Sequence, residues 1–187
     1  MACVLPIPMV SSVAMTAAKI HQQVEAVWRI EAARLIASLA RLVRDVGLAE
    51  EFAQDALVSA LEHWPREGVP DNPGAWLMST AKNRALDHLR RARMLQFKHQ
   101  ALGHELEALQ AQAPEPDVDE IGDDLLRLIF VACHPVLSTE ARAALTLRLL
   151  GGLTTTEIAR AYLTSEAAIA QRIVRAKRAL SSAAVAA

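Results

Sequence analysis

The chain of 187 residues has few of the features that mark secreted, disulfide-rich or membrane-spanning proteins. Its 2 cysteines, Cys3 and Cys133, are far apart and make no disulfide framework, so a reducing cytosol is the default environment. No apolar run reaches the length of a membrane span. The apolar N-terminal segment carries Pro6 and Pro8 and lacks the basic start of a signal peptide. We therefore expect a cytoplasmic protein with no membrane partner, and we interpret residues 1–19 as a disordered leader or as the result of a mis-called start codon.

Motifs for catalysis and for metal binding are also missing. The sequence contains no G-x-S-x-G, no Walker glycine loop and no H-E-x-x-H. Cys133 and His134 are adjacent, whereas metal ligands on a helix are spaced by three or four residues, so a buried structural cysteine is the expected role of Cys133. The sequence therefore predicts no enzymatic activity, no metal site and no cofactor.

Aromatic residues make up only 4% of the chain, and residues typical of strands are not clustered, whereas Ala, Leu, Arg and Glu dominate. This composition predicts an all-α fold. The net charge of −1 gives no global attraction to nucleic acid, but the charge is segregated along the chain. Residues 82–98 are basic, residues 105–124 are acidic without Lys or Arg, and the last helix is basic again. The distribution of charge along the chain indicates possible partners better than the net charge does.

Apolar residues at helical spacing predict two small bundles. In the first, helices are expected at Val24–Val46, Ala49–Trp64 and Pro73 to about Met94. In the second, helices are expected from Asp123 or Asp124 to Pro135, from Ser138 to Gly151, and twice more before Leu180. We assign residues 20–95 to the first domain, 96–121 to a flexible acidic linker, 122–182 to the second domain and 183–187 to a tail.

The last two predicted helices form a helix-turn-helix pattern. Thr154 and Glu157 have the capping-box spacing, and the turn falls around residues 162–164. The second helix of the pair has an apolar side and a polar, basic side, and a basic second helix is what enters the major groove in such motifs. A plain helical hairpin with a solvated basic face has equal weight when this segment is taken alone. The basic side consists of Ala168, Gln171, Arg172, Arg175 and Arg178, with Lys177 beside them.

The first predicted domain has two polar faces. On its third helix, amide, hydroxyl and cationic groups surround Trp76, a mixture that can hold phosphates and stack on an unpaired base. A lone Trp is nevertheless more often a satellite core residue. On its second helix, Glu50, Glu51, Gln54 and Asp55 crowd the first turns. Compensation of the helix dipole explains these carboxylates on their own, and a docking face for a basic partner is the sharper alternative.

Three segments together resemble a bacterial extracytoplasmic-function sigma factor of RNA polymerase, the sigma-70 type with regions 2 and 4. Residues 45–57 (DVGLAEEFAQDAL) resemble the region 2 segment that docks on the core polymerase. Residues 71–91 (DNPGAWLMSTAKNRALDHLRR) are similar to the promoter-melting helix and are the most specific match. Residues 152–161 (GLTTTEIARA) resemble the start of the region 4 helix-turn-helix. Residues 71–76 also look like a subgroup that bears a C-terminal extension, which this sequence lacks.

The resemblance implies core RNA polymerase and promoter DNA as partners, with an anti-sigma factor or a regulatory extension as further partners. It implies three sets of contact residues. Core polymerase would meet Glu50, Glu51, Gln54 and Asp55. The minus-ten promoter element would meet Trp76, Lys82, Asn83, Arg84, Asp87, His88, Arg90 and Arg91. The upstream element would meet Ser165, Glu166, Ala168, Gln171, Arg172, Arg175, Lys177 and Arg178.

Some positions depart from the family pattern. Leu163 stands where the turn usually carries Gly, and Ala167, Ala168 and Ala170 replace Gly, Thr and Lys at the start of the last helix. Two rival functions remain open at this point. A free-standing helix-turn-helix regulator would bind duplex DNA without polymerase, and a helical adaptor would bind only protein and show no salt-dependent affinity for DNA.

Overall fold

Seven α-helices follow one another along residues 10–99 and 118–185, which are the residues that the structure, a computed structural model, describes. No strand occurs within these residues, so the predicted all-α fold is confirmed. The helices are α1 (Val10–Val43), α2 (Val46–Glu67), α3 (Pro73–His99), α4 (Val118–Ala132), α5 (Thr139–Leu149), α6 (Thr155–Ala161) and α7 (Glu166–Val185).

Helices α1 to α3 form the first bundle around a core of large aliphatic side chains and one tryptophan. Leu35 and Leu39 from α1, Trp64 from α2 and Leu77 from α3 are almost fully buried there. Asp45 caps α2 by accepting a hydrogen bond from the backbone N–H of Leu48 at 2.9 Å. At the start of α3, the Asn72 side chain accepts from the N–H of Ala75 at 3.1 Å, so Asn72 acts as the cap that the sequence indicates.

Helices α4 to α7 form the second bundle. Ser138 caps α5 by accepting from the N–H of Ala141, and Thr154 and Glu157 make the predicted capping box at α6. The predicted turn joins α6 to α7 at residues 162–165. Leu163 lies in it with φ of 51°, a left-handed conformation that L-residues other than glycine rarely adopt. This backbone geometry explains why glycine suits the position that Leu163 occupies.

Val46, predicted to end the first helix, begins α2, and three further differences concern the predicted leader and linker. α1 begins at Val10, within the segment predicted as a disordered leader, and residues 1–9 lie outside the described residues. α3 continues to His99 and α4 begins at Val118, so both helices enter the segment predicted as a linker. The rest of that segment, residues 100–117, including most of the helical turn predicted at 99–109, lies outside the described residues.

The two bundles pack against each other, which the sequence did not indicate. α4 lies along α1, and α7 contacts α2 near the N-terminus of α2. Val46 of the first bundle and Leu128 and Leu180 of the second belong to one continuous cluster of buried side chains. Arg91 and Arg175, from the two predicted DNA-binding faces, both remain exposed on the outside of this joint core.

Candidate nucleic-acid interface

The start of α7 is held by the turn before it and by α6. The Ser165 hydroxyl accepts a hydrogen bond from the backbone N–H of Ala168 at 3.2 Å, which caps the helix. The hydroxyl of Thr155 in α6 donates to the Glu166 carboxylate at 3.2 Å. Ser165 and Glu166 therefore fix the position of α7, while both remain exposed at its end.

The exposed side of α7 borders a shallow groove of about 470 Å³ against the N-terminus of α5. Predicted upstream-element residues line it at helical spacing, and Ser138 and Ala141 form part of the opposite wall. Arg178 is exposed farther along the same helix. The structure thus brings most of the predicted upstream-element residues onto one surface. Those in the groove are Ala168, Gln171, Arg172 and Arg175.

Lys177 departs from this prediction. Its ammonium group forms an ion pair with the carboxylate of Glu50 in the first bundle, and its side chain is largely covered. It therefore faces α2 and not the surface that carries Arg175. Two positions farther along a helix rotate a side chain by about 200°, which is why Lys177 lies opposite its neighbour.

The second predicted DNA-binding surface is the polar strip of α3. Asn83, Asp87, Arg90 and Arg91 are exposed on it, and Arg90 forms an ion pair with Asp87 at 3.2 Å. The strip offers an amide, a carboxylate and two guanidinium groups to a ligand without rearrangement of the core. Lys82 lies beside it and is half-buried.

Three other residues predicted to meet the minus-ten element contact α2: Trp76 is half-buried, whereas Arg84 and His88 remain exposed. The Trp76 ring packs edge-on against Trp64, with ring centres 5.5 Å apart, so it serves as the satellite core residue that the sequence left as an alternative. Arg84 forms an ion pair with Asp55 at 2.9 Å and donates to the Ser59 hydroxyl at 2.6 Å. The His88 ring lies 5.4 Å from the ring of Phe52. Arg84 and His88 are four residues apart, so they share the side of α3 that contacts α2.

The predicted polymerase-docking residues divide into exposed and covered groups. Glu51 and Gln54 are exposed on α2, and Asp55 is half-buried beside Arg84. Glu50 is only 4% exposed. Its carboxylate accepts a hydrogen bond from Gln54 at 2.9 Å and forms ion pairs with Arg148 and Lys177 of the second bundle.

Opposing effects act on the Glu50 carboxyl. Burial favours the neutral form and by itself raises the pKa, but the positive charges and hydrogen bonds of Lys177 and Arg148 outweigh burial and hold the pKa of Glu50 below its usual value. The carboxylate is therefore ionised at neutral pH and forms the centre of a buried cluster of charges between the two bundles.

The residues that join the bundles were not found from the sequence. Besides Arg148, they are Arg41, whose guanidinium lies 2.8 Å from the buried carboxylate of Asp124, and Ser181, whose hydroxyl donates to Asp45. These partners are far apart in the chain, so no helical spacing signals them.

Within residues 10–99 and 118–185, no group of three or more His, Cys, Asp or Glu side chains could hold a metal ion. Helices in this part of the chain are all too short or too polar to cross a membrane. Cys133 corrects one expectation: it follows the last residue of α4 and is exposed, where a buried structural role was predicted.

Comparisons with known proteins match a segment of each bundle to a known family. Residues 29–94 match the family Sigma-70 region 2, and residues 127–180 match the family Sigma-70, region 4. The chain is 31% identical over 142 residues to ECF RNA polymerase sigma factor SigL of Mycobacterium tuberculosis, covering 75% of this chain and 76% of that protein. It is 28% identical over 148 residues to ECF RNA polymerase sigma factor SigK of Mycobacterium sp. (strain KMS), covering 75% and 72%.

A longer relative also matches. An uncharacterised protein of Rhizobium meliloti (strain 1021) is 40% identical over 150 residues, and the match covers 79% of this chain but 36% of that protein. The chain thus spans about a third of the length of this relative.

The fold and the matched segments define a two-region helical protein of the sigma-70 class. Within that class, the chain belongs to the family of extracytoplasmic-function (ECF) RNA polymerase sigma factors.

Proposed function

We propose that this chain directs core RNA polymerase to a set of promoters and helps to open them, without doing chemistry itself. The observation that carries the proposal is the exposed polar side of α7 within a helix-turn-helix, where Gln171 and Arg175 lie beside an open groove. The second helix of a helix-turn-helix can enter the major groove of DNA and read base edges there, while its arginines contact phosphates. Membership of the ECF family supports polymerase as the enzyme that does the chemistry, and the cytoplasm as the location.

In this mechanism the α3 strip acts on the opened strand. Asn83, Arg90 and Arg91 are exposed and can contact phosphates and unpaired bases. Unstacking a base costs a few kcal/mol, and contacts to protein can return about 1–3 kcal/mol of that. The half-buried Trp76 supports α3 from inside through Trp64, and is not proposed as a stacking platform.

Polymerase docking is assigned to the exposed part of the acidic face on α2, with Glu51 and Gln54 as its accessible members. Glu51→Lys tests this assignment more cleanly than a change at Asp55, because Asp55 also holds Arg84. We expect Glu51→Lys to weaken pull-down of core polymerase about tenfold, equivalent to ~1.4 kcal/mol. Glu62→Lys, an equal charge reversal at the exposed far end of α2, is the matched control and should bind normally.

DNA recognition is tested in the same system with Arg175→Ala. Holoenzyme made with this variant should bind the upstream element more weakly, while its affinity for core polymerase is unchanged. Loss of core binding in Arg175→Ala would instead assign α7 to the polymerase interface. Transcription from a promoter library with reconstituted holoenzyme would identify the promoter. Tight binding of the free chain to duplex DNA, unaffected by core enzyme, would favour the stand-alone regulator.

A further inference from the structure

The contact between the two bundles covers one of the residues predicted to dock on core polymerase. Glu50 belongs to the docking face on α2, yet Arg148 from α5 lies 2.8 Å from its carboxylate and Lys177 from α7 forms an ion pair with it. Both cations come from the second bundle. With Glu50 only 4% exposed, a polymerase surface cannot reach this carboxylate while the bundles stay together.

Two further polar contacts close the same end of α2. Ser181 of α7 donates a hydrogen bond to Asp45, the residue that caps α2. Arg41 of α1 pairs with Asp124 of α4, which is only 4% exposed. The Lys177 side chain also passes close to Gly47, where a Cβ atom would lie at van der Waals distance, 3.9 Å, from it. Charged and hydroxyl groups thus join the bundles at one end of α2, beside the apolar contact between α1 and α4.

The interface is also incompletely filled. A cavity of about 420 Å³ lies between α1, α4 and α7, lined in part by Arg44, Val131 and His134. Polar contacts around a cavity are typical of interfaces within a chain that open, whereas a permanent core is apolar and close-packed. Separation of the bundles would return the charged groups to water, and hydration offsets much of the attraction lost. A partner that offers its own cations to Glu50 can therefore displace Arg148 and Lys177.

We propose that the packed arrangement is a closed state, in which Arg148 and Lys177 act as an internal latch on the docking face of α2. The latch competes with core polymerase for Glu50, so polymerase binds only after the bundles separate. This inference rests on the proposed function, because it assumes that α2 is the polymerase-docking helix. A protein whose competent state is a minor fraction binds with an apparent affinity lowered by that fraction. Weakening the latch therefore strengthens polymerase binding.

The first experiment weakens the latch without changing the docking face. Arg148→Gln and Lys177→Gln are made singly in the full chain, and the affinity for core polymerase is measured without DNA. Arg148 also donates to the backbone carbonyl of Leu153, so its loss can disturb folding, whereas the ion pair of Lys177 is with Glu50. Arg160→Gln, an equal charge change on the exposed side of α6, is the matched control.

We expect Lys177→Gln to bind core polymerase on the order of tenfold more tightly than the unaltered chain, because a larger fraction of the molecules is open. The same variant should have a larger radius of gyration in small-angle X-ray scattering. Arg160→Gln should match the unaltered chain in both measurements. Unchanged or weaker polymerase binding by a folded Lys177→Gln variant would overturn the latch. If the unaltered chain still binds core polymerase in that case, only the latch is excluded and the proposed function is retained.

The second experiment locks the closed state. Asp45→Cys and Ser181→Cys place two thiols at a contact between the bundles, in a chain whose Cys3 and Cys133 are replaced by serine. The oxidised double variant should fail to capture core polymerase, and reduction should restore capture. Equal capture in both forms, with the disulfide verified by thiol titration, contradicts the latch. Failure of every form, including the unaltered chain and Lys177→Gln, contradicts polymerase docking itself.

Discussion

The Arg84 guanidinium lies 2.9 Å from the Asp55 carboxylate and thereby joins α3 to α2. One residue comes from the helix proposed to act on promoter DNA and the other from the helix proposed to dock on polymerase. The same Arg84 also donates to the Ser59 hydroxyl at 2.6 Å. Two surfaces that the sequence assigns to different partners are therefore mechanically connected through one side chain.

The strength of this pair can be predicted from its exposure. The two side chains are 42% and 48% exposed, so water screens their attraction. In a double-mutant cycle of Asp55→Asn and Arg84→Gln, we expect a coupling of about 0.2–1 kcal/mol in the free energy of unfolding measured with urea. The cycle cancels the separate loss of the Ser59 hydrogen bond. A coupling above ~2 kcal/mol would mean that the pair is desolvated in solution.

Acid should weaken the folded state through Glu50. The pKa of this carboxyl is lowered in the folded chain from a usual value of 4.5, so the unfolded chain binds more protons in the interval between the two values. The stabilisation is complete above the usual pKa and is lost as pH falls through the lowered one. We expect the free energy of unfolding of Glu50→Gln to fall less steeply below about pH 5 than that of the unaltered chain.

The control for this pH prediction is Glu51→Gln. It removes a neighbouring carboxylate on α2 that is exposed and does not pair with Arg148 or Lys177. This variant should keep a pH dependence close to that of the unaltered chain. Identical slopes for Glu50→Gln and the unaltered chain would show that Glu50 carries no differential protonation between the folded and unfolded states.

The turn between α6 and α7 contains a position where a smaller residue should stabilise the protein. Leu163 has φ of 51° and is 96% exposed, so its side chain gains little from packing while its Cβ is strained. Leu163→Gly relieves the strain but adds freedom to the unfolded chain, and we expect a net gain of up to about 1 kcal/mol. Leu163→Ala keeps the Cβ and should leave the free energy of unfolding nearly unchanged. Destabilisation by glycine alone would indicate a different turn conformation in solution.

Phosphate contacts by α7 should appear in the salt dependence of promoter binding. Arg178 is exposed beyond the groove, on the side proposed to face DNA. If its guanidinium neutralises one phosphate, Arg178→Ala should reduce the slope of log affinity against log salt by about 1 for holoenzyme on promoter DNA. Arg34→Ala removes an exposed arginine of α1 and should keep the slope. Equal slopes for both variants would exclude Arg178 from the phosphate contacts.

The sequence by itself determined the helical class, the caps and the helix-turn-helix, because these depend on residues a few positions apart. Thr154 and Glu157 specify their capping box locally, and Ser138 and Asn72 likewise set the starts of their helices. Family resemblance added the partners, again from contiguous segments.

Only the tertiary structure decided which polar residues are available to a partner. Lys177 and Arg175 are equally basic in the sequence, but the rotation of α7 turns one toward Glu50 and the other toward solvent. The physical reason is that packing of one helix on another is set by the sum of many weak apolar contacts between segments distant in the chain, and this packing determines which charge finds a counter-charge.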